Sequence, residues 1–193
     1  MGKTNDELII FPDLFYVIGA DLSLGRPGFA ILKIENGVIV DLKTESVDNK
    51  KSKDDKTKGQ ILLEIYEKIT EFCSSQKDNV YFVREASINN ASFGRRSGTA
   101  ARIGVSEVIG ISDLALWVSK QESWHEIYPT SIKKLITGYG KATKEDVANG
   151  LKYYVGEQEY ANDDESDATA VAISFLIKNK LMETVDQRET IKK

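Results

Sequence analysis

Three extended, largely apolar runs follow one another near the beginning of the chain with no helical pattern between them, and their order restricts the fold more than any other feature. They cover residues 15–21, 28–34 and 37–42, and neighbouring strands joined by short turns pair as an antiparallel meander. Two later runs of the same kind, 80–85 and 123–128, each follow a helical pattern, as parallel strands do. The sequence therefore predicts an α/β fold, with a mixed sheet of about five strands covered by helices.

Helical periodicity fills the intervals between these strands and most of the chain after them. The first apolar stripe has the spacing of one buried helix face and consists of Ile61, Leu62, Ile65, Ile69, Phe72 and Cys73. A long helical pattern covers residues 99–118, a short helix is predicted to begin at Pro129, and Thr143 is suited to cap another. The last helix is predicted over 163–182, and the hydrophilic stretch 48–58 is predicted to be a mobile loop.

Composition limits the class of protein. The chain has 193 residues, of which 41% are hydrophobic, so we expect 1–193 to form a single domain with terminal extensions at 1–14 and 183–193. The chain has one cysteine, Cys73, and one histidine, His125. A single cysteine excludes an internal disulfide and a metal site built on several cysteines, and a single histidine argues against a zinc site built on histidines. No run approaches the roughly 20 apolar residues of a membrane span, and we expect a cytoplasmic protein that does not bind membranes.

Carboxylates stand at three places where an apolar segment ends or begins. Asp21 closes the first strand-like run, and Glu85 closes the fourth. Asp164 and Asp167 lie in an acidic cluster directly before an almost wholly apolar helix. Each position has an ordinary structural explanation, since Asp is common in turns and acidic residues are favoured in the first turn of a helix. If the two strands are neighbours and the helix packs across their ends, however, the four carboxylates converge.

Four converging carboxylates would repel one another and would be stable only beside cations. Oxygen ligands without histidine or thiolate are typical of Mg²⁺, with Mn²⁺ able to substitute. Two such ions about 4 Å apart can activate a water molecule and stabilise the leaving oxygen of a phosphodiester. The pattern therefore predicts two-metal nuclease chemistry, with water as the nucleophile and no covalent protein–DNA intermediate.

Four segments of the chain, in order and in rough spacing, resemble the RuvC Holliday-junction resolvases, which have the ribonuclease H-like fold. They read GADLSLGRPGFAIL, VYFVREAS, YPTSIKKLITGYGKATKEDV and DDESDATAVA, and the similarity covers about residues 15–178. The resemblance implies a ribonuclease H-like sheet, metal-dependent cleavage of four-way DNA junctions, and a homodimer that matches the twofold symmetry of the junction. It also implies active-site residues, namely the metal ligands Asp21, Glu85, Asp164 and Asp167, the lysine Lys144, and either Lys133 or Lys134.

The chain departs from the family's pattern at two places. Leu22 and Ser23 follow the first aspartate where the family has Pro-Gly, and Pro27 and Gly28 stand where it has Thr-Gly. These differences are more typical of a bacteriophage branch of the family, which would act in the cytoplasm of its host cell. They leave the sequence preference of cleavage open.

The register of the last helix allows two partners for Asp167. Asp164 lies three residues away and Asp163 four, so both fall within about 60° of Asp167 around a helix axis. The family's Asp-x-x-Asp pattern favours Asp164, and Asn162 or Asp163 is suited to the N-cap. We therefore expect Asp164 to be the metal ligand.

Any DNA-binding surface must be local, because the net charge of −4 gives no general signature of nucleic-acid binding. Basic residues flank the proposed metal ligands in two groups, one that begins at Arg84 and one that begins at Lys133. In the glycine-rich segment NNASFGRRSG, Arg95 and Arg96 are suited to phosphate contacts, and Phe93 either stacks on bases at the junction centre or folds back onto the protein. The residues assigned to DNA binding are Arg95, Arg96, Phe93, Arg102, Lys134 and Lys141.

The helix predicted over 99–118 is our candidate for part of the dimer contact. It is rich in small residues, among them Gly104, Ser106 and Gly110. Small side chains let a second helix approach closely, although packing within one chain uses them too.

Two other classes of protein are alternatives to a nuclease. The segment GADLSLGRPG also resembles the first phosphate loop of actin-like and sugar-kinase ATPases, but those proteins need two related domains, and the chain contains no repeat. The other alternative is a non-catalytic junction-binding protein on the same fold, and the presence of all four carboxylates argues against it.

Overall fold

The computed structural model describes residues 10–49, 56–76, 79–86, 99–121 and 124–188, with only the backbone described for 99–102. Within these ranges the strands form one five-stranded sheet in the order β3-β2-β1-β4-β5. The first three strands pair antiparallel, and β4 and β5 continue the sheet parallel to β1, which confirms the predicted mixed sheet. The strands are β1 Leu14–Asp21, β2 Gly28–Glu35, β3 Val38–Ser46, β4 Val80–Glu85 and β5 Trp124–Ile127.

Helices cover both faces of the sheet, and the alternation of side chains along β1 shows how. Ile18 and Ala20 point to one face, where they pack with α1 and α2. Phe15 and Val17 point to the other face, where they pack with α3, α4 and α5. The helices are α1 Lys58–Ser75, α2 Thr99–Val118, α3 Pro129–Thr137, α4 Lys144–Val155 and α5 Asp163–Lys178.

Local sequence signals set where several helices begin. Thr57 and Gln60 form a capping box at the start of α1, and Thr143 and Asp146 form one at the start of α4, as the sequence predicts for α4. Pro129 occupies the first turn of α3, where its missing N–H has no intrahelical partner to lose. The start of α4 matters for the site, because Lys144 is its first residue.

The helix α5 lies unusually close to the sheet. A Cβ atom at Gly19 would overlap the carbonyl oxygen of Ala168, and one at Gly28 would overlap the carbonyl oxygen of Asp164. Any larger residue at either glycine would push the helix away from β1 or β2. The two glycines therefore determine how closely the acidic first turn of α5 approaches the sheet.

Two predicted boundaries are wrong. The third strand continues to Ser46 instead of ending at residue 42, and beyond it the N–H of Asn49 donates to the carbonyl of Gly25, so the loop predicted over 48–58 is ordered at its beginning. The last helix ends at Lys178, not near residue 182, because Lys180 adopts a left-handed conformation with φ of 62°.

The C-terminal segment packs against the second half of the chain. The N–H of Val185 donates to the Tyr154 hydroxyl at 2.9 Å, and the N–H of Gln187 donates to the carbonyl of Thr137 at 3.0 Å.

Among the described helices, none is long and apolar enough to cross a membrane.

Candidate active site

The sheet topology brings two of the predicted acidic residues to the same edge. In the parallel pair β1 and β4, Ala20 is the partner of Arg84. The next residue on each strand is Asp21 or Glu85, so the two carboxylates follow neighbouring strands at their carboxyl ends. In open α/β sheets this edge is where ligand sites form.

A cavity of about 240 Å³ opens at this edge and brings together five of the six predicted catalytic residues. Three carboxylates and two lysines line it, and apolar side chains complete its walls. Its charged lining consists of Asp21, Glu85, Asp167, Lys133 and Lys144, and its apolar lining of Pro129, Ile132, Val147 and Ala170. Asp164 does not line the cavity, although its charge acts on Asp21.

Burial and mutual repulsion raise the pKa values of two of the carboxyl groups toward neutral pH. Burial raises the pKa of Asp21 to about 6, with further contributions from the negative charges of Asp167 and Asp164. Burial also raises the pKa of Glu85 to about 7, and the charges of Asp21 and Asp167 add to the rise. Lys144 opposes the shift at both groups. The cavity thus carries more negative charge than its lysines offset, which is the condition that favours a bound cation.

The two lysines reach the cavity from different helices. Lys144, at the start of α4, donates a hydrogen bond to Asp167, and this bond raises the pKa of the lysine. Lys133, on α3, lies close enough to Glu85 for its positive charge to oppose part of the rise in the pKa of that carboxyl. Lys134 instead lines a separate cavity of about 720 Å³ with Lys178, so Lys133 is the one of the pair beside the carboxylates.

The first turn of α5 separates Asp164 from Asp163. Asn162 is the N-cap, and its Oδ1 accepts hydrogen bonds from the backbone N–H groups of Asp164 and Glu165. Asp163 is therefore the first helical residue, and it is exposed. The Asp164 side chain is 23% exposed and lies 3.7 Å from the guanidinium of Arg26.

Arg26 is a residue of the site that was not predicted from the sequence. Its guanidinium lies 3.7 Å from Asp164 and 3.3 Å from Asp48, and so adds positive charge beside Asp164. The available signal was an arginine within the turn that directly follows Asp21.

Arg84 does not belong to the basic surface in which the sequence analysis placed it. Its side chain is 2% exposed, because alternation along β4 turns it to the opposite side of the strand from Glu85. The guanidinium donates to Glu126, Ser112 and Asp113. Arg84 therefore links β4 to α2 and β5 and is not available to DNA.

The remaining DNA-binding candidates are placed only in part. Phe93, Arg95 and Arg96 lie outside the described residues, and for Arg102 the structure gives only a backbone position in α2. Lys141 is exposed and lies three residues before Lys144. Their roles stay predictions.

The donor set fits a hard divalent cation. Carboxylate oxygens are the preferred ligands of Mg²⁺ and Mn²⁺, and the pKa values of Asp21 and Glu85 are raised first by burial and then by the negative charges of neighbouring carboxylates. Within the ranges that the structure describes, no three acidic, histidine or cysteine side chains have the spacing of a ready-made metal site. Instead, Lys144 pairs with Asp167 and Arg26 faces Asp164, so cationic side chains balance part of the charge.

Fold and site together define a class of protein. A mixed sheet with acidic residues at the ends of neighbouring parallel strands, and on a helix packed across that edge, is the arrangement of a ribonuclease H-like nuclease. Within this class the chain belongs to the RuvC family, because the family model of the crossover junction endodeoxyribonuclease RuvC matches residues 17–175.

Individual relatives agree with this assignment. The chain is 31% identical to the crossover junction endodeoxyribonuclease RuvC of Prochlorococcus marinus strain AS9601, over 83% of this chain and 95% of that protein. It is 27% identical to the RuvC of Rickettsia bellii strain OSU 85-389, over 83% of this chain and 96% of that protein.

Solved structures show the same fold. The Thermus thermophilus RuvC structure has a TM-score of 0.66 and 17% identity, over 89% of this chain and all of that chain. The T. thermophilus RuvC in complex with a Holliday junction substrate also has a TM-score of 0.66, with 16% identity over 83% of this chain and 92% of that chain. Family membership decides between nuclease and ATPase in favour of the nuclease.

Proposed function

We propose that the chain is a structure-selective endonuclease that cleaves phosphodiester bonds at four-way DNA junctions. The observation that carries the proposal is the cavity lined by three carboxylates together with Lys133 and Lys144. The family supplies the substrate class, since its members are named as crossover junction endodeoxyribonucleases. One neighbouring structure contains a Holliday junction substrate.

Mg²⁺, for which Mn²⁺ could substitute, would be held by four carboxylates, namely Asp21, Glu85, Asp164 and Asp167. When bound, the metal supplies Lewis-acid chemistry that activates water and stabilises the leaving oxygen of the phosphodiester. Glu85, with its pKa raised to about 7, holds a proton on its carboxyl group for part of the time at neutral pH. That proton must leave before the carboxylate can serve as a ligand.

The lysines would act on the phosphate that is cleaved. Lys144 is 69% exposed, yet its ammonium reaches Asp167, so the side chain can exchange a carboxylate partner for a phosphate oxygen without movement of α4. Lys133 adds positive charge from the neighbouring wall. Such charges stabilise the negative charge that develops on the phosphate in the transition state.

The DNA backbone would follow the basic residues around the cavity. Arg95, Arg96 and Phe93 belong to the segment between β4 and α2, which begins directly after Glu85. Lys141 lies in the short connection between α3 and α4, and Arg102 is in the first turn of α2. Lys134 would contact DNA only outside the cavity of the carboxylates.

A homodimer through α2 would supply two active sites to a twofold-symmetric junction. The exposed apolar residues of α2 support this assignment, because Ile103, Leu114, Trp117 and Val118 fall within about 100° around the helix axis. A Cβ at Gly110, on the same face, would meet nothing within 4 Å. This face can therefore admit a second helix at close range.

Sedimentation of the purified protein tests the dimer. Trp117→Glu should convert a dimer into a monomer, because it replaces the most exposed side chain of the apolar face, which is 78% exposed, by a charged one. Leu63→Glu is the matched control, since Leu63 is 52% exposed on α1 and its replacement should leave the dimer intact. A wild-type monomer at micromolar concentration would overturn the assignment.

A synthetic four-way junction and a linear duplex of the same sequence, each with and without Mg²⁺, test the activity. We expect nicks only in the junction and only with Mg²⁺, and we expect Asp21→Asn to bind the junction without cutting it. Binding of the junction by the wild-type protein without cleavage would favour the non-catalytic alternative. Equal cleavage of both substrates would exclude selectivity for junctions.

A further inference from the structure

Glu165 stands between two proposed metal ligands in sequence, but its side chain contacts a different part of the molecule. It is 5% exposed. Its carboxylate accepts hydrogen bonds from the hydroxyl of Thr44 at 2.8 Å and from the hydroxyl of Ser46 at 3.0 Å. It also accepts one from the backbone N–H of Ala161 at 3.2 Å. Glu165 therefore joins the first turn of α5 to the end of β3.

The direction of Glu165 follows from helical geometry. At about 100° per residue, Glu165 lies about 100° from Asp164 and about 160° from Asp167 around the axis of α5. A bond that holds Glu165 against β3 therefore turns Asp167 toward the cavity that contains Asp21 and Glu85. Because the first turn of α5 is rigid, holding Glu165 against β3 also fixes the direction of Asp167 on the opposite side of the helix.

A second contact joins the same two elements. The side-chain amide of Asn162, the N-cap of α5, donates to the hydroxyl of Ser46 at 2.7 Å. Ser46 is itself the sheet partner of Gly28, the glycine beneath the carbonyl of Asp164. The start of α5 is thus attached to β3 by two side chains and rests directly on β2.

A carboxylate is an expensive group to bury for packing alone. Removing it from water is unfavourable unless hydrogen bonds replace the lost solvent, and the partners given above for Glu165 are two hydroxyl groups and one backbone N–H. An apolar side chain would fill the same space without this requirement. What the carboxylate adds is direction, because its hydrogen bonds fix the rotation of the helix as well as its distance from the sheet.

We propose that Glu165 is a positioning residue, which acts through Thr44 and Ser46 to hold Asp164 and Asp167 in the orientation that binds metal. The proposal rests on the proposed function of the site. For a carboxylate about 5 Å from the helix axis, a rotation of 10° moves the group by about 0.9 Å. A displacement of about 1 Å in an active site can lower the rate about 100-fold.

The test compares three variants with the wild-type protein. Glu165→Ala removes the carboxylate, the double variant Thr44→Val, Ser46→Ala removes both hydroxyl partners without changing any charge, and Glu165→Gln keeps a carbonyl oxygen and the shape. Mn²⁺ binding is measured by calorimetry without DNA, the single-turnover cleavage rate with a saturating four-way junction, and junction affinity in EDTA. Circular dichroism identifies a temperature at which each variant is folded.

We expect Glu165→Ala and the double variant to bind Mn²⁺ 10- to 100-fold more weakly and to cleave 10- to 100-fold more slowly, with junction affinity within about twofold of wild type. Glu165→Gln should stay within about threefold of wild type. A role in folding alone would lower the melting temperature but leave Mn²⁺ binding and cleavage of the folded protein unchanged, and that result would overturn the proposal.

Two further results separate the explanations. Loss of Mn²⁺ binding in Glu165→Ala but not in the double variant would show that the charge of Glu165 acts, not its bonds to β3, and would also overturn the proposal. A wild-type protein that neither binds Mn²⁺ nor cleaves the junction would contradict the proposed function itself. The failures of the two proposals are therefore distinguishable.

Discussion

Replacement of Asp21 by asparagine should make the metal-free protein more stable at pH 8, although it removes a proposed metal ligand. The pKa of Asp21 rises from 3.8 to about 6 on folding, chiefly through burial and then through the charges of Asp167 and Asp164. The folded state therefore binds more protons than the unfolded state between these pH values, and stability falls as the pH rises through them. Asparagine carries no charge and avoids this loss.

The pKa values set the size and the pH window of the effect. A rise from 3.8 to about 6 corresponds to about 3 kcal/mol in favour of the protonated form, which is the upper limit of the gain for Asp21→Asn. The full gain is expected above about pH 6, and it disappears as the pH falls below about 4. For a chain of this length, 3 kcal/mol corresponds to about 6 to 12 °C in melting temperature.

Urea unfolding in EDTA at pH 8 and at pH 4 measures the difference in the free energy of unfolding. Asp41→Asn is the matched control, because Asp41 has a side chain that is 51% exposed on β3, and its replacement should change stability little at either pH. Saturating Mg²⁺ at pH 8 should reduce the advantage of Asp21→Asn, since metal binding stabilises only the folded wild-type protein. An Asp21→Asn protein that is less stable than wild type at pH 8 in EDTA would refute the argument that repulsion and burial strain this site.

Three further predictions concern charged residues around the site. Alanine at both Arg95 and Arg96 should make the decrease of log junction affinity with log salt concentration shallower, by about 2 in slope. Fluorescence anisotropy at several salt concentrations measures this slope. Lys144→Ala should slow single-turnover cleavage about 100-fold, whereas Lys134→Ala should leave the rate nearly unchanged. Of these two lysines, Lys144 contacts a carboxylate of the site and Lys134 lines a separate cavity. Arg84→Met should lower the free energy of unfolding by about 2 kcal/mol in urea titrations, since it leaves acidic partners that are only half exposed without their cation.

The sequence predicted most of the fold because the signals that place its elements are local. Apolar runs bounded by turn residues mark the strands, and Pro129 and Thr143 mark helix starts that the structure confirms. The end of β3 was missed because Thr44 and Ser46 are polar. They belong to the strand through pairing with β2 and are further held by bonds to Glu165, which join residues more than 100 positions apart.

The site was predictable to the extent that its residues end regular elements. Asp21 and Glu85 close apolar strands, and the topology then places them at one edge. Arg84 shows the limit of this reasoning, because a basic residue beside a proposed ligand was assigned to the surface although strand alternation turns it inward. Glu165 could not be assigned from the sequence, and for Arg26 the sequence shows only its place in the turn after Asp21, since the roles of both depend on partners that are distant along the chain.

Single-turnover cleavage of a four-way junction by Asp164→Asn and Asp163→Asn tests the central claim most directly. The substitutions are adjacent and chemically identical, but Asp164 lies beside the site and Asp163 is the exposed first residue of α5. With saturating Mg²⁺, Asp164→Asn should show no cleavage above background, and Asp163→Asn should keep most of the wild-type rate with at most a small loss in melting temperature. Loss of activity in Asp163→Asn alone would place the wrong aspartate at the metal, and full activity in both variants would contradict a metal site built on α5.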